Sequence, residues 1–177
     1  MRCVWWCTSR RARAMTLLHA ARELVERASR LGHAGRTMTR DELRTLDEKL
    51  SGAYPSWLSE LLTLVPLCGL ELGWQELEPA RDFDGVAWLE WCDARGVLSE
   101  SVDCHPGLAI LEAGYVNVAS CTMGSGDPYF VCIHDGGDPP LYRVAHDVSD
   151  SADVIVAEAR TLVAPSLSDF FNVARVG

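Results

Sequence analysis

The chain has a single lysine, Lys49, beside fifteen arginines, a bias expected of a GC-rich genome. It has no apolar run near the ~20 residues that span a bilayer, so no transmembrane segment is expected. The apolar stretch Cys3–Val4–Trp5–Trp6–Cys7 is short for a secretory h-region, which needs about 7–15 residues. No paired Cys-x-x-Cys, no His-Glu-x-x-His and no EF-hand spacing occurs, so the usual zinc and calcium signatures are missing. The glycine-rich stretch Gly124–Ser125–Gly126–Asp127 lacks the lysine and spacing of a phosphate loop, and Ser125 lacks the context of a nucleophile elbow.

Positive charge is also missing from most of the chain. The net charge is −9, and it is unevenly spread. Residues 1–37 hold eight arginines against Glu23 and Glu26, net +6; residues 38–177 hold seven arginines and Lys49 against 23 acids, net −15. An acidic body repels phosphate backbones, which argues against direct nucleic-acid binding, and it steers basic protein surfaces toward it. Seven cysteines, an odd number, fall mostly inside apolar runs such as Tyr129–Ile133. They read as reduced, buried thiols of a cytoplasmic protein and not as a disulfide framework.

What is present is ordinary globular material: 177 residues, 48% hydrophobic and 23% charged, enough for one core. Residues 1–37 read as an arginine-rich extension, or as the product of a mis-called start, with helical periodicity over 14–31. Leu17, Leu18, Ala21, Leu24, Val25, Ala28 and Leu31 share one stripe there. Residues 38–177 read as the domain. Thr39–Arg40–Asp41–Glu42 is a capping box. Tyr54–Pro55–Ser56 opens a second helix that Pro66 stops. Alternation at Leu70, Leu72 and Trp74 predicts a strand. Residues 84–94 read as a helix with Val86, Leu89 and Cys92 inward and Trp88 and Trp91 one turn apart. Residues 95–107 read as a loop. Tyr115–Cys121, Tyr129–Ile133 and Leu141–Ala145 predict an antiparallel meander joined by the turns 123–128 and 135–140. Residues 153–164 fit either short strands or a helix. Ser166, with Asp169 three residues on, caps a final helix to Ala174. Strands grouped after helices predict an α+β domain with one largely antiparallel sheet.

Two stretches carry a resemblance: Val116–Phe130, with its Gly-Ser-Gly-Asp-Pro turn before an aromatic strand, and Val163–Phe171, with its Ser-x-x-Asp-Phe-Phe helix start. Together with Tyr54–Pro55–Ser56–Trp57–Leu58, they resemble the SUKH superfamily, the group of the Smi/Knr-type cell-wall assembly regulators, over residues 38–177. The resemblance implies one mixed sheet packed against several helices, and it implies binding instead of catalysis. Bacterial members are immunity proteins of polymorphic toxin systems, which block a secreted toxin domain, often a nuclease or deaminase; fungal members are interaction hubs.

The expected function is therefore an immunity protein that occludes a basic toxin domain, with no cofactor and no metal. A regulatory or scaffolding module of the same fold is the alternative. The partner-facing residues are expected to be Asp127, Tyr129, Asp135 and Asp138, because both hairpin turns project beyond the sheet. A further alternative is a small metal-dependent hydrolase using His134, Asp135, Asp138 and His146, with Asp147 nearby; turn chemistry explains those residues equally well. Cys104–His105, Cys132–His134 and Cys3–Cys7 have no orienting acid or partner pair.

Overall fold

The computed structural model describes the backbone of residues 4–177 and the side chains of residues 17–177. Cys3 and the side chain of Cys7 lie outside the described residues. Helices α1 (Val4–Arg30), α2 (Arg40–Lys49) and α3 (Ser56–Leu64) precede strands β1 (Glu71–Gln75) and β2 (Val86–Trp91). Short helices α4 (Ala94–Leu98) and α5 (Gly107–Ile110) lead to β3 (Tyr115–Cys121), β4 (Tyr129–Cys132) and β5 (Leu141–Val144). Helix α6 (Ala152–Val154), strand β6 (Arg160–Ala164), helix α7 (Leu167–Val173) and strand β7 (Arg175–Val176) complete the described chain. The strands form one sheet in the order β6-β5-β4-β3-β2-β1-β7, with every neighbouring pair antiparallel. The fold is α+β, one antiparallel sheet with helices packed on it.

Local signals account for the helix ends. Thr39 accepts from the Glu42 N–H, and Glu42 reaches back to the Thr39 N–H at 2.8 Å, which closes the capping box of α2. Ser166 accepts from the Asp169 N–H at the start of α7. Leu167, Phe170, Phe171 and Ala174 are buried, as their shared face requires.

Two stretches differ from the sequence expectation, and a third that the sequence left open is decided. Residues 86–91 are strand, not helix: Leu72 pairs with Leu89 and Trp74 with Ala87. A six-residue stretch with five apolar residues satisfies either period, and its place between β1 and β3, where both ladders need partners, decides for strand. Trp88 and Trp91 consequently lie on opposite faces. Trp91 is enclosed in the core, while Trp88 is half-buried on the other side, against Gly73 and Gly177. Residues 95–107 are not a loop; α4 runs into one wide helical turn, Ser99–Asp103, ahead of α5. Its Ser101 hydroxyl is fully buried and accepts the Asn117 N–H at 3.1 Å, satisfying β3 where its register with β4 shifts between Asn117 and Ala119. Residues 153–164 divide into a helical part up to Ala159 and then β6.

The boundary at residue 38 is corrected too. Leu17, Ala20, Ala21, Leu24 and Ala28 of α1 belong to the main core, which they share with Phe170 and Phe171 of α7. Arg27 donates to the carbonyl oxygens of Phe171 at 2.7 Å and Ala174 at 3.2 Å. Those carbonyls lie at the end of α7 and have no intrahelical partner, so a guanidinium there fills their hydrogen-bonding need and sits favourably at the helix's negative end. Arg36 then pairs in the backbone with Cys68 and forks its guanidinium onto Glu42 at 2.7 Å and Asp93 at 2.8 Å. The described part of the arginine-rich stretch is a structural layer of the domain. Leu31, placed on the buried stripe by periodicity, is exposed beyond the helix end.

Cys68, Cys92 and Cys132 are buried, Cys121 is half-buried and Cys104 is exposed; all five are free thiols. Burial pushes the Cys68 and Cys92 thiols up to about 12, so both are protonated and inert at neutral pH. Among the described residues no helix is long and apolar enough to cross a membrane.

Candidate functional site

Antiparallel pairing sends the 76–85, 122–128 and 145–151 connections to one end of the sheet and the 133–140 connection to the other. The four residues expected to face a partner are divided by that topology. Asp127 stands at the first end; Asp135 and Asp138 stand at the second.

Asp138 is half-buried and serves α7. Its Oδ1 accepts the Ser168 N–H at 2.9 Å, and its Oδ2 accepts the Ser168 hydroxyl at 2.6 Å. This gives it a role inside the fold, because a carboxylate at a helix N-terminus satisfies amides that the helix cannot. Asp138→Ala is expected to lower stability by about 1–2 kcal/mol, read as a shift of the urea midpoint without partner present. A surface contact residue would leave that midpoint unchanged. Asp135 is exposed, in a single 3-10 turn spanning Ile133–Asp135.

Tyr129 is fully buried and is corrected as a contact residue. It opposes Ala119 on β3 and Arg143 on β5, so its ring faces the core. Its hydroxyl accepts from the Trp74 indole N–H at 3.2 Å, and burial pushes the pKa of that hydroxyl up to about 12 although the N–H opposes the shift.

Tyr129 and Trp74 begin a polar chain that ties the three loops of the first end together. Arg143 lies over the Trp74 ring, 5.8 Å from its centroid. It pairs with Glu76 at 2.5 Å and Asp127 at 3.9 Å. The other oxygen of Asp127 meets His146 Nδ1 at 2.9 Å, and the His146 N–H also donates to it. His146 Nε2 lies 3.1 Å from Asp147. The chain thus runs from the 76–85 loop through β5 to the 122–128 turn and the 145–151 loop. Arg143 and His146 each sit between two carboxylates.

The imidazole of His146 is held above its ordinary range, first by its bond to Asp127 and then by the charges of Asp147, Asp127 and Glu100, with slight burial opposing. Burial raises the Glu100 carboxyl, which the His146 charge opposes. A histidine with a raised folded value adds stability in full below its unfolded value, and that contribution disappears as pH climbs through the folded value. Thermal melts of the native chain are therefore expected to fall more steeply than those of His146→Asn between about pH 6 and 8. Equal slopes would show that the Asp127–His146 pair adds nothing.

The residues named for a metal are split in the same way. His134, Asp135 and Asp138 lie at one end and His146 and Asp147 at the other. Among the described residues no group of three or more His, Cys, Asp or Glu side chains is placed to hold an ion. Cys104 and His105 are exposed, and His105 approaches Asp150 at 3.8 Å.

Sequence reasoning overlooked Trp74, Glu76, Glu100 and Arg143 as members of one site. For Arg143 a signal existed: it shares strand parity with the buried Leu141, and a charge on the inward side of a strand requires partners. The others meet only through cross-strand and inter-loop contacts, which no local pattern encodes. The chain matches no family model, no curated protein and no solved structure.

Proposed function

We propose that this chain is a cytoplasmic immunity protein that binds a basic toxin domain and covers its active site, with no catalysis of its own. The observation that carries this reading is the charge of the body. Residues 38–177 are net −15, and sixteen of their 23 carboxylates are exposed, so their field extends into solvent where a partner approaches. Such a surface accelerates encounter with a cationic protein and rejects nucleic acid. The resemblance of the meander and of the serine-capped α7 to the SUKH superfamily supports the same reading.

The test is capture from the source lysate with the full chain as bait, at low salt, because α1 belongs to the core. The expected result is a stoichiometric basic protein that is released as salt rises and whose toxicity is relieved by co-expression of this chain. Recovery of cell-envelope or signalling proteins alone would replace immunity with the regulatory reading. Recovery of a partner that stays bound irrespective of salt would overturn the electrostatic argument.

A further inference from the structure

Among the described residues nine large apolar side chains are exposed, and four of them stand on the three loops that share one end of the sheet: Leu77, Phe83, Met123 and Val148, each 40–57% exposed. The other five, Leu31, Leu64, Leu108, Leu162 and Val173, are each on or beside a different element. Isolated apolar residues of that kind are ordinary on a surface. Four on adjoining loops are a different matter, since grouped apolar exposure marks binding surfaces.

The same loops are acidic. Glu78, Asp82, Asp147 and Asp150 are exposed there, and Arg81 is the only lysine or arginine within residues 76–85, 122–128 and 145–151. Apolar tips set among carboxylates combine the two parts of a specific interface, contact area that supplies affinity and charge that steers and selects.

The loops are also held in place without a partner. Gln75 Nε2 donates to the carbonyls of Leu77 at 2.7 Å and Asp84 at 2.8 Å, clamping the base of the 76–85 loop. Ala80 and Phe83 exchange backbone bonds across its tip. Gly85 has φ +75, and a Cβ there would stand 2.1 Å from the Leu77 carbonyl oxygen, so only glycine lets the loop close this tightly. The chain Glu76–Arg143–Asp127–His146 then fixes this loop against its two neighbours. A surface ordered in advance loses less conformational freedom on binding.

We infer that this loop end is the docking surface, and that it takes a protein face in which arginines or lysines surround an apolar hollow. The inference rests on the immunity reading for its biological partner. Its chemistry disfavours the other macromolecules: the carboxylates repel nucleic acid and anionic lipid alike.

The test is a nuclear magnetic resonance titration of the full chain at low salt with a synthetic amphipathic peptide of arginine and leucine. A control peptide has serine in place of leucine. The expected result is shifts centred on residues 77–84, 123–126 and 146–150, with the serine peptide binding at least about tenfold more weakly. The double substitution F83S/V148S is expected to weaken binding of the leucine peptide by a similar factor while leaving the melting temperature in place. Shifts centred elsewhere, no shifts, equal affinity of the two peptides, or full binding by F83S/V148S would each overturn the inference. Capture with the variant as bait separates failure of the surface from failure of the immunity reading. A toxin retained undiminished by F83S/V148S sinks the surface and keeps immunity; a mapped loop end with no toxin recovered sinks immunity and keeps the surface.

Discussion

A chain that begins at Met38 is expected to be insoluble or unfolded, whereas one that begins at Met15 is expected to fold. Leu17 and Leu24 are almost fully enclosed, and they pack in one core with Phe170 and Phe171. Deleting one enclosed leucine side chain costs about 2–5 kcal/mol, so losing two costs on the order of 4–10. The whole stability of a domain is about 5–15 kcal/mol. Removal of α1 also strips the close packing of Ala20, Ala21 and Ala28 and leaves the Phe171 and Ala174 carbonyls without Arg27. Soluble yield and circular dichroism of the two truncations decide the matter. A cooperative melt from the Met38 chain would show that α1 is dispensable, and the boundary drawn from charge and caps alone would stand.

Trp91→Ala is expected to cost about 3–5 kcal/mol, as befits an enclosed aromatic truncated to a methyl, with a urea midpoint lowered accordingly. Trp91 is fully buried at the end of β2, and its ring lies 5.2 Å from that of Phe171 at a 54° tilt. Its indole N–H has no hydrogen-bond partner among the described residues. A buried donor without an acceptor is unfavourable by about 1–3 kcal/mol, so Trp91→Phe is expected to be far milder, because it removes that donor while keeping an aromatic ring against Phe171. If Phe proves as damaging as Ala, the indole's bulk or an unseen partner for its N–H dominates. Trp88 supplies the internal control. Half-buried on the opposite face, it should tolerate alanine much better than Trp91.

The contrast between the two tryptophans shows what local pattern conveys. Spaced three apart, they read as one helical face, and the same spacing in a strand sends them to opposite sides of the sheet. Nothing within Val86–Trp91 separates these outcomes; the ladder partners on β1 and β3 do. The α2 and α7 caps were legible for the opposite reason, since a serine or threonine hydroxyl satisfies an amide only a few residues away. The hairpin turns at 123–128 and 135–140 were legible through glycine and proline in the same way.

The partner-facing residues were chosen by proximity to turns, and that criterion mixed three situations. Asp127 is at a loop end but locked between Arg143 and His146. Asp138 holds α7. Tyr129 alternates inward. A turn residue's exposure depends on what packs beside it, and for Asp138 that neighbour lies 30 residues onward.

By itself the sequence determined the α+β class, the meander, the capped helices and the acidic character of the body, because each follows from interactions within a few residues or from plain summation of charge. Only the tertiary structure decided that the arginine-rich helix belongs to the core, that 86–91 joins the sheet, and that three distant loops gather Leu77, Phe83, Met123 and Val148 at one end. Those outcomes depend on which surfaces can be buried together and on the alternating direction of antiparallel strands, and both are properties of the assembled chain.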